Sequence, residues 1–289
     1  MKKVSRRLHV IENRPLSPDV FLLTLGLDMN DDVMANVRAN NYSPLQDIKP
    51  GQFASILIDG IFLRRPFSIH DVDLSHNFIK FFIQKVGKGT EQLSKLTHHD
   101  SVDVMFPLGN GFSMDNGQLT IDNYAAPNIS DKSSIVNRKS SILLVGGGCG
   151  AAPLLYLAKI LNQNGIRPTI LIGGRSKKNI LRIEDYVKYG NVLITTENGS
   201  LGEKGLVTEH PIFHKEKFDQ IYCCGPEPMM KAVGKLAIDK NIPCQVSLEN
   251  MMACGVGACL CCVTKTTEGH QCVCTEGPVF DIKHLVDFV

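Results

Sequence analysis

The chain has 289 residues, with 31 basic and 29 acidic side chains, a net charge of +2, 43% hydrophobic residues and 21% charged ones. That balance excludes a disordered polymer, and at roughly 100–200 residues per domain it leaves room for two or three domains. A net charge this small excludes a nucleic-acid footprint or an electrostatic membrane anchor as the main business of the surface. The basic start, Met1 to Arg7, is followed by a segment that charges and prolines interrupt, Leu8 to Val20, so no export signal is expected and the protein is placed in the cytoplasm.

Up to about Leu108 the chain reads as β-rich. Phe53–Ile58, Phe78–Gln84 and Val102–Phe106 are short runs of apolar, aromatic and β-branched residues separated by turn signals such as Lys49-Pro50-Gly51. Strands at this spacing suggest a small antiparallel barrel. Between them Asn30–Ile48 is polar and reads as a surface insertion. Within the barrel, Arg64-Arg65-Pro66-Phe67-Ser68 follows an apolar strand. An arginine fork and a neighbouring serine can hold phosphate and flavin oxygens, but taken alone the segment reads as an edge-strand charge pair beside a proline. Gly87-Lys88-Gly89-Thr90 offers backbone donors and is weak by itself. The stretch Asn110–Ser140, rich in Asn, Asp and Ser, is longer than an ordinary connection and reads as a linker.

From Ser140 to Ala158 there is no charged residue, close to the length of a membrane span. Gly146, Gly147, Gly148, Gly150 and Pro153 break it, so a buried strand, a turn and a helix are expected instead. Strands over Ser141–Val145, Thr169–Ile172, Val192–Thr196 and Gln220–Cys223 alternate with helices over Ala152–Asn162, near Ile183–Lys188, and over Pro228–Asp239. This pattern predicts a parallel, doubly wound sheet. Gly146 to Pro153 lies between a strand and a helix, where backbone N–H groups meet a pyrophosphate. Cys224-Gly225-Pro226-Glu227-Pro228 ends a later strand, at the sheet edge where ligands bind. Gly173-Gly174-Arg175-Ser176-Lys177-Lys178 follows the second strand of the sheet. Basic residues there suit a 2′-phosphate, and no acidic residue at that strand end favours NAD.

Six of the ten cysteines lie between Cys254 and Cys274. Clustering of this kind, without export, points to a metal or iron–sulfur site in a reducing compartment. Cys254-x4-Cys259-x2-Cys262 with a later cysteine is the plant-type [2Fe–2S] spacing. Gly255, Gly257 and Ala258 let the backbone wrap a small inorganic core. The fourth ligand is Cys272 or Cys274; Cys274 is favoured because it precedes the turn Thr275-Glu276-Gly277-Pro278. A four-thiolate zinc site is the alternative, and with it a non-enzymatic scaffold.

In this order the motifs resemble the ferredoxin–NADP reductase superfamily: Arg65 to Ser68 its flavin signature, Gly87 to Thr90 its pyrophosphate turn, Gly146 to Pro153 and Cys224 to Met230 its nucleotide motifs. The tail, Glu249 to Cys259 closing with Cys274 to Phe280, together with Pro107 to Phe112, is similar to the electron-transfer subunits of NAD-linked (class 1B) dihydroorotate dehydrogenases. The resemblance implies an FAD-binding β-barrel over residues 1–108, a linker over 109–140, an NAD-binding α/β domain over 141–245, and a small C-terminal plant-type [2Fe–2S] domain over 246–289. It implies that Arg65, Pro66, Phe67, Ser68, Phe82, Ile83, Gln84, Gly89 and Thr90 contact FAD, and that Gly147, Gly148, Gly150, Gly225 and Pro226 contact NAD. Cys254, Cys259, Cys262 and Cys274 would ligate the cluster, and Cys224 would be the catalytic residue beside the nicotinamide. Cys149 stands where an aliphatic residue is expected. The implied role is electron transfer in de novo pyrimidine (UMP) biosynthesis, with an FMN-containing catalytic subunit as partner in a heterotetramer of two of each; a flavin joins the one-electron cluster to two-electron NAD chemistry. The same motifs also suit the electron-transfer subunit of a hydrogenase, a sulfide dehydrogenase or a ferredoxin–NAD(P) reductase. The resemblance favours NAD although the basic turn Arg175–Lys178 favours NADP.

Overall fold

The computed structural model describes residues 3–27, 43–114 and 140–288. The greater part of the expected insertion, and of the expected linker, lies outside the described residues. Seven strands, β1 (Val4–Ser17), β2 (Val20–Leu27), β3 (Phe53–Leu57), β4 (Arg65–Ser68), β5 (Asp71–Asp73), β6 (Phe78–Gln84) and β7 (Ser101–Leu108), form one antiparallel sheet in the order β4-β3-β7-β1-β2-β6-β5. Its two edge strands are β4 and β5, which only Ile69 and His70 separate in the chain. Laid flat, seven strands at about 4.8 Å spacing would hold those edges roughly 29 Å apart, whereas three residue steps span at most about 11 Å. The sheet must therefore curl into a half-barrel.

Neither β1, at 14 residues the longest strand of this sheet, nor the apolar β2 is among the strands expected from the sequence. β1 carries Arg7, Glu12, Arg14 and Pro15 on its exposed positions, while Leu8 and Val10 point into the core. Alternation of this kind is diluted by the charges and becomes legible only once one face is covered. Parts of the two polar stretches are also structural. Leu45 and Ile48, at the end of the expected surface insertion, are fully buried, and Phe112 and Met114 at the start of the expected linker are buried.

The second sheet contains β8 (Ile142–Gly147), β9 (Thr169–Gly174), β10 (Asn191–Thr196), β11 (Glu203–Lys204), β12 (Gln220–Cys224) and β13 (Cys244–Ser247), all parallel. Helices Ala152–Gln163 and Glu227–Asp239 follow β8 and β12. A hairpin of β14 (Val263–Thr266) and β15 (Gly269–Cys272) follows, and β16 (Val279–Asp281) then returns to pair antiparallel with β13. The order is β11-β10-β9-β8-β12-β13-β16. β13 runs across the boundary expected after residue 245, so the cysteine-rich segment is built onto the sheet and not appended to it. The strand order reverses between β8 and β12, which opens a crevice at their C-terminal ends. Among the described residues no helix is long and apolar enough to cross a membrane.

The two sheets share a core and several specific contacts. Lys159, on the helix after β8, donates to Asp71 (2.8 Å) and to the Val72 carbonyl (2.6 Å), while Lys80 pairs with Asp71 from the other side (3.2 Å). The Tyr156 hydroxyl donates to the Ile48 carbonyl at 3.1 Å. His70 donates its Nδ1–H to the Ala152 carbonyl at 2.7 Å, which leaves buried Nε2 without a hydrogen-bond partner. Burial, aided by the Arg182 guanidinium, lowers its pKa from the usual 6.5 to about 4.

As pH falls below about 6.5 the unfolded chain takes up a proton on His70 that the folded protein refuses until about pH 4. Stability is therefore lost across that window, by about 3 kcal/mol at its lower end. His70→Gln should flatten this part of the stability–pH curve, measured by urea denaturation at a series of pH values; equal slopes in both proteins would overturn the assignment.

Candidate functional site

Arg64 and Arg65 divide their work. Arg64 is taken up by the sheet, bonding Asp103 Oδ1 at 2.7 Å and the Asp103 and Ser55 carbonyls at 3.2 and 3.3 Å. Arg65 is braced only by the Leu63 and Arg64 carbonyls (2.8 and 3.4 Å) and lies against Gly89, so its fork is left for an anion. Thr90 builds the facing turn: its Oγ1 accepts from the N–H of Val86 (2.9 Å) and of Gly87 (3.2 Å) and donates to the Gly87 carbonyl (2.9 Å). Of Phe82, Ile83 and Gln84 on β6, only Phe82 and Gln84 look away from the core. The Ile83 side chain is buried within it and has only backbone to offer.

At the crevice of the second sheet, Cys224 on β12 pairs with Gly146 on β8. The two glycine loops touch: a Cβ on Gly150 would lie 2.6 Å from Gly225 N, so no other residue fits. Cys224 itself is fully buried, and its thiol donates to the Ser247 carbonyl at 3.6 Å. Burial, with the Glu249 carboxylate adding to it, pushes the Cys224 thiol far up, so it remains protonated. The half-buried Cys149 thiol is raised to about 11 for the same two reasons. Glu249 is exposed on the cavity wall, yet the protein packed around its carboxyl still raises its pKa. It faces both thiols, a role that nothing in its local sequence signals. A cavity of about 500 Å³ opens beside Gly225, Pro226 and Glu249, bounded on its far side by Thr264, Lys265 and Asp287.

The cysteine loop folds around its own sulfurs. The N–H groups of Val256 and Cys259 donate to Cys254 Sγ, each at 3.4 Å; Gly257 N–H reaches Cys274 Sγ at 3.1 Å, and Cys274 N–H reaches Cys262 Sγ at 3.4 Å. Gly257 holds φ +86, and a Cβ there would stand 2.9 Å from Thr275, so the short approach to Cys274 requires glycine. The Val256 N–H above all, opposed next by burial and then aided by the Cys259 N–H and thiol and the Ala258 N–H, holds the Cys254 thiol down at about 6. Burial and the adjoining Cys262 thiol push Cys274 up to about 12. Cys272 also adjoins Cys262, but its backbone N–H is held by Glu276 at 2.7 Å. Cys261 is exposed.

Three thiols in one loop and a fourth just past the β14–β15 hairpin, with backbone N–H groups aimed at three of their sulfurs, fit a thiolate-held cluster, because the donors offset the negative charge that the ligands must carry. Among the described residues no three His, Cys, Asp or Glu side chains converge tightly enough for a single metal ion.

Comparison with known proteins agrees with this geometry. Residues 249–286 match the family described as the iron–sulfur cluster binding domain of dihydroorotate dehydrogenase B. The chain is 34% identical over 293 residues, 99% of its own length and 100% of the relative's, to the electron transfer subunit of dihydroorotate dehydrogenase B (NAD(+)) of Shouchella clausii. It is 40% identical over 237 residues, 81% of this chain and 85% of the relative, to the subunit of the same name from Clostridium acetobutylicum. Among solved structures, an NADH-dependent reduced ferredoxin–NADP oxidoreductase described for flavin-based electron bifurcation superposes with a TM-score of 0.75 at 27% identity, over 95% of this chain and 87% of that one. The ferredoxin reductase of carbazole 1,9a-dioxygenase shares the fold, with a TM-score of 0.61 at 18% identity over 84% of this chain and 68% of that one.

Anaerobic reconstitution with iron and sulfide distinguishes the thiols. Cys254→Ser, Cys259→Ser, Cys262→Ser and Cys274→Ser should each lose most of the bound iron and the visible absorption, while Cys261→Ser and Cys272→Ser retain both. Loss in Cys272→Ser with retention in Cys274→Ser would reverse the choice of fourth ligand.

Proposed function

The chain belongs to the family of dihydroorotate dehydrogenase B (NAD(+)) electron transfer subunits, and on that premise we propose that it passes electrons from the FMN of a dihydroorotate-oxidising partner, through a [2Fe–2S] cluster and FAD, to NAD⁺ in pyrimidine biosynthesis. The observation that carries this reading is the placing of the cysteine loop on the flavin sheet. A Cβ on Gly255 would lie 3.8 Å from Leu108 and 3.9 Å from Ser55, and Ser55 on β3 is the cross-strand partner of Pro66 in the flavin motif. The cluster loop and the flavin strand are thus separated by one strand pairing.

We assign FAD to Arg65, Pro66, Phe67, Ser68, Phe82, Gln84, Gly89 and the turn built by Thr90, with Ile83 offering only its backbone. The pyridine nucleotide goes to Gly147, Gly148, Gly150, Gly225 and Pro226 along the β8–β12 crevice, and the cluster to Cys254, Cys259, Cys262 and Cys274. The corresponding spans are 1–108, 141–245 and 246–289, with β13 and β16 joining the last two. Being buried and protonated, Cys224 acts as a positioning residue beneath the Gly146–Gly150 and Gly225 backbones; it exchanges no proton with the nicotinamide. FAD, when bound, exchanges single electrons with the cluster and a hydride with the nucleotide.

The surface around the cysteine loop supports a partner there. Met251, Val256 and Leu260 are 85%, 39% and 65% exposed, and Leu260 is held at φ +56, an unfavourable backbone for a branched side chain that places it outward between Cys259 and Cys261. The partner is the FMN-containing catalytic subunit, in a heterotetramer of two of each in the cytoplasm.

Purified together with that subunit, the protein should reduce NAD⁺ with dihydroorotate; a co-purified pair that reduces none sinks the reading. Leu260→Glu is expected to abolish co-purification while leaving iron content and NADH-driven reduction of an artificial acceptor intact. Cys224→Ala should slow that same NADH-driven reaction by on the order of tenfold with little change in melting temperature, because displaced loops misplace the nicotinamide; an unchanged rate would remove Cys224 from the positioning role.

A further inference from the structure

The basic turn after β9 sits uneasily with NAD⁺ as the acceptor. Arg175, Lys177 and Lys178 are exposed and form no ion pair among the described residues. Side chains frame the turn: Asn179 Oδ1 accepts from Ser176 N–H at 3.1 Å and Ser200 Oγ accepts from Lys177 N–H at 2.8 Å. The chain leaving β10 crosses directly beside it, with Glu197 N–H donating to the Gly174 carbonyl at 3.1 Å and Asn198 N–H to the Arg175 carbonyl at 3.3 Å. An exposed carboxylate therefore stands at the C-terminal edge of the sheet beside the turn, supplied by the neighbouring strand.

Resting on the reading that a pyridine dinucleotide occupies the β8–β12 crevice, we propose that Glu197 reads the adenosine ribose and holds this chain to NAD⁺ against NADP⁺ in spite of the basic turn. The ribose of NAD⁺ presents two hydroxyl donors, and an ionised carboxylate is an acceptor with room for both. The 2′-phosphate of NADP⁺ presents only acceptors and carries negative charge, so beside Glu197 it meets like charge and finds no hydrogen bond. The cations do not reverse this. Like Glu197 they stand on exposed side chains whose long-range effect is screened within about 8 Å at physiological salt, so the contact made at the ribose itself decides, and the Glu197 backbone is the one bonded to the end of β9. Discrimination rests on the repulsive contact.

Calorimetric titration of the oxidised, cofactor-loaded protein with NAD⁺ and with NADP⁺ tests this without turnover. Wild-type protein should prefer NAD⁺ by at least tenfold. Glu197→Gln should narrow that preference tenfold or more, chiefly by tightening NADP⁺, and adding Arg175→Ala to it should remove the gain. An unchanged ratio in Glu197→Gln, or no preference in the wild type, overturns the role of Glu197 while the acceptor reading stands. A wild-type protein that binds neither dinucleotide overturns the acceptor reading, and this inference with it.

Discussion

The contact of the cysteine loop with the flavin sheet is the constraint on which the rest of the structure depends. Electron carriers must lie close together, yet the residues available to hold them come from three stretches of chain. The segment after β7 solves this. Gln52 donates to the Gly109 carbonyl at 2.7 Å, Asn110 N–H donates to the Gly277 carbonyl at 2.5 Å, and Asn110 Nδ2 donates to the Thr275 and Glu276 carbonyls at 3.2 and 2.9 Å. Those carbonyls immediately follow Cys274. The turn that carries the fourth cysteine is thereby bonded to the end of the strand that borders β3.

The same segment ties in the nucleotide sheet. Ser113 exchanges hydrogen bonds with the Gln245 side chain, 2.9 Å each way, and its carbonyl also accepts from the Tyr222 hydroxyl at 2.9 Å. Tyr222 is buried edge-on against Phe112, with ring centroids 5.3 Å apart. On the other side, Lys159, Tyr156 and His70 fasten the helix after β8 to the half-barrel. The crevice between β8 and β12 is held at a set distance from β4 by contacts on both flanks. A hydride donor and acceptor need that preorganisation more than they need any single reactive side chain.

The cysteines fall into two kinds by the backbone groups around their sulfurs. Cys223, Cys224 and Cys244 are buried among apolar residues, with no backbone N–H group donating to their sulfurs among the described residues, and burial drives all three thiols upward. They pack as small apolar side chains. In the C-terminal loop, N–H groups converge on Cys254, Cys262 and Cys274, because positive-φ glycines turn the backbone inward. At Cys254 those peptide dipoles lower the thiol to about 6, whereas burial and the Cys262 thiol still raise Cys274.

A few neighbouring residues suffice to encode the C-x4-C-x2-C loop, the glycine turn after β8, the Arg65–Ser68 segment and the alternation of strands and helices from residue 141 onward. Each records a local requirement, a tight wrap or a close backbone approach, and each is legible in a short window. The tertiary structure alone decided the pairings across the chain. It curled seven strands, including β1, whose charges had concealed it. It also returned β16 to β13, freed Arg65 by engaging Arg64 with Asp103, and gave Cys274 the Gly257 N–H that Cys272 lacks. Glu197 shows the reason most simply. No acidic residue lies at the end of β9, and one arrives there only because parallel pairing lays β10 beside it. Sheet order is set by the burial of whole strands, and that is a property no short window of sequence contains.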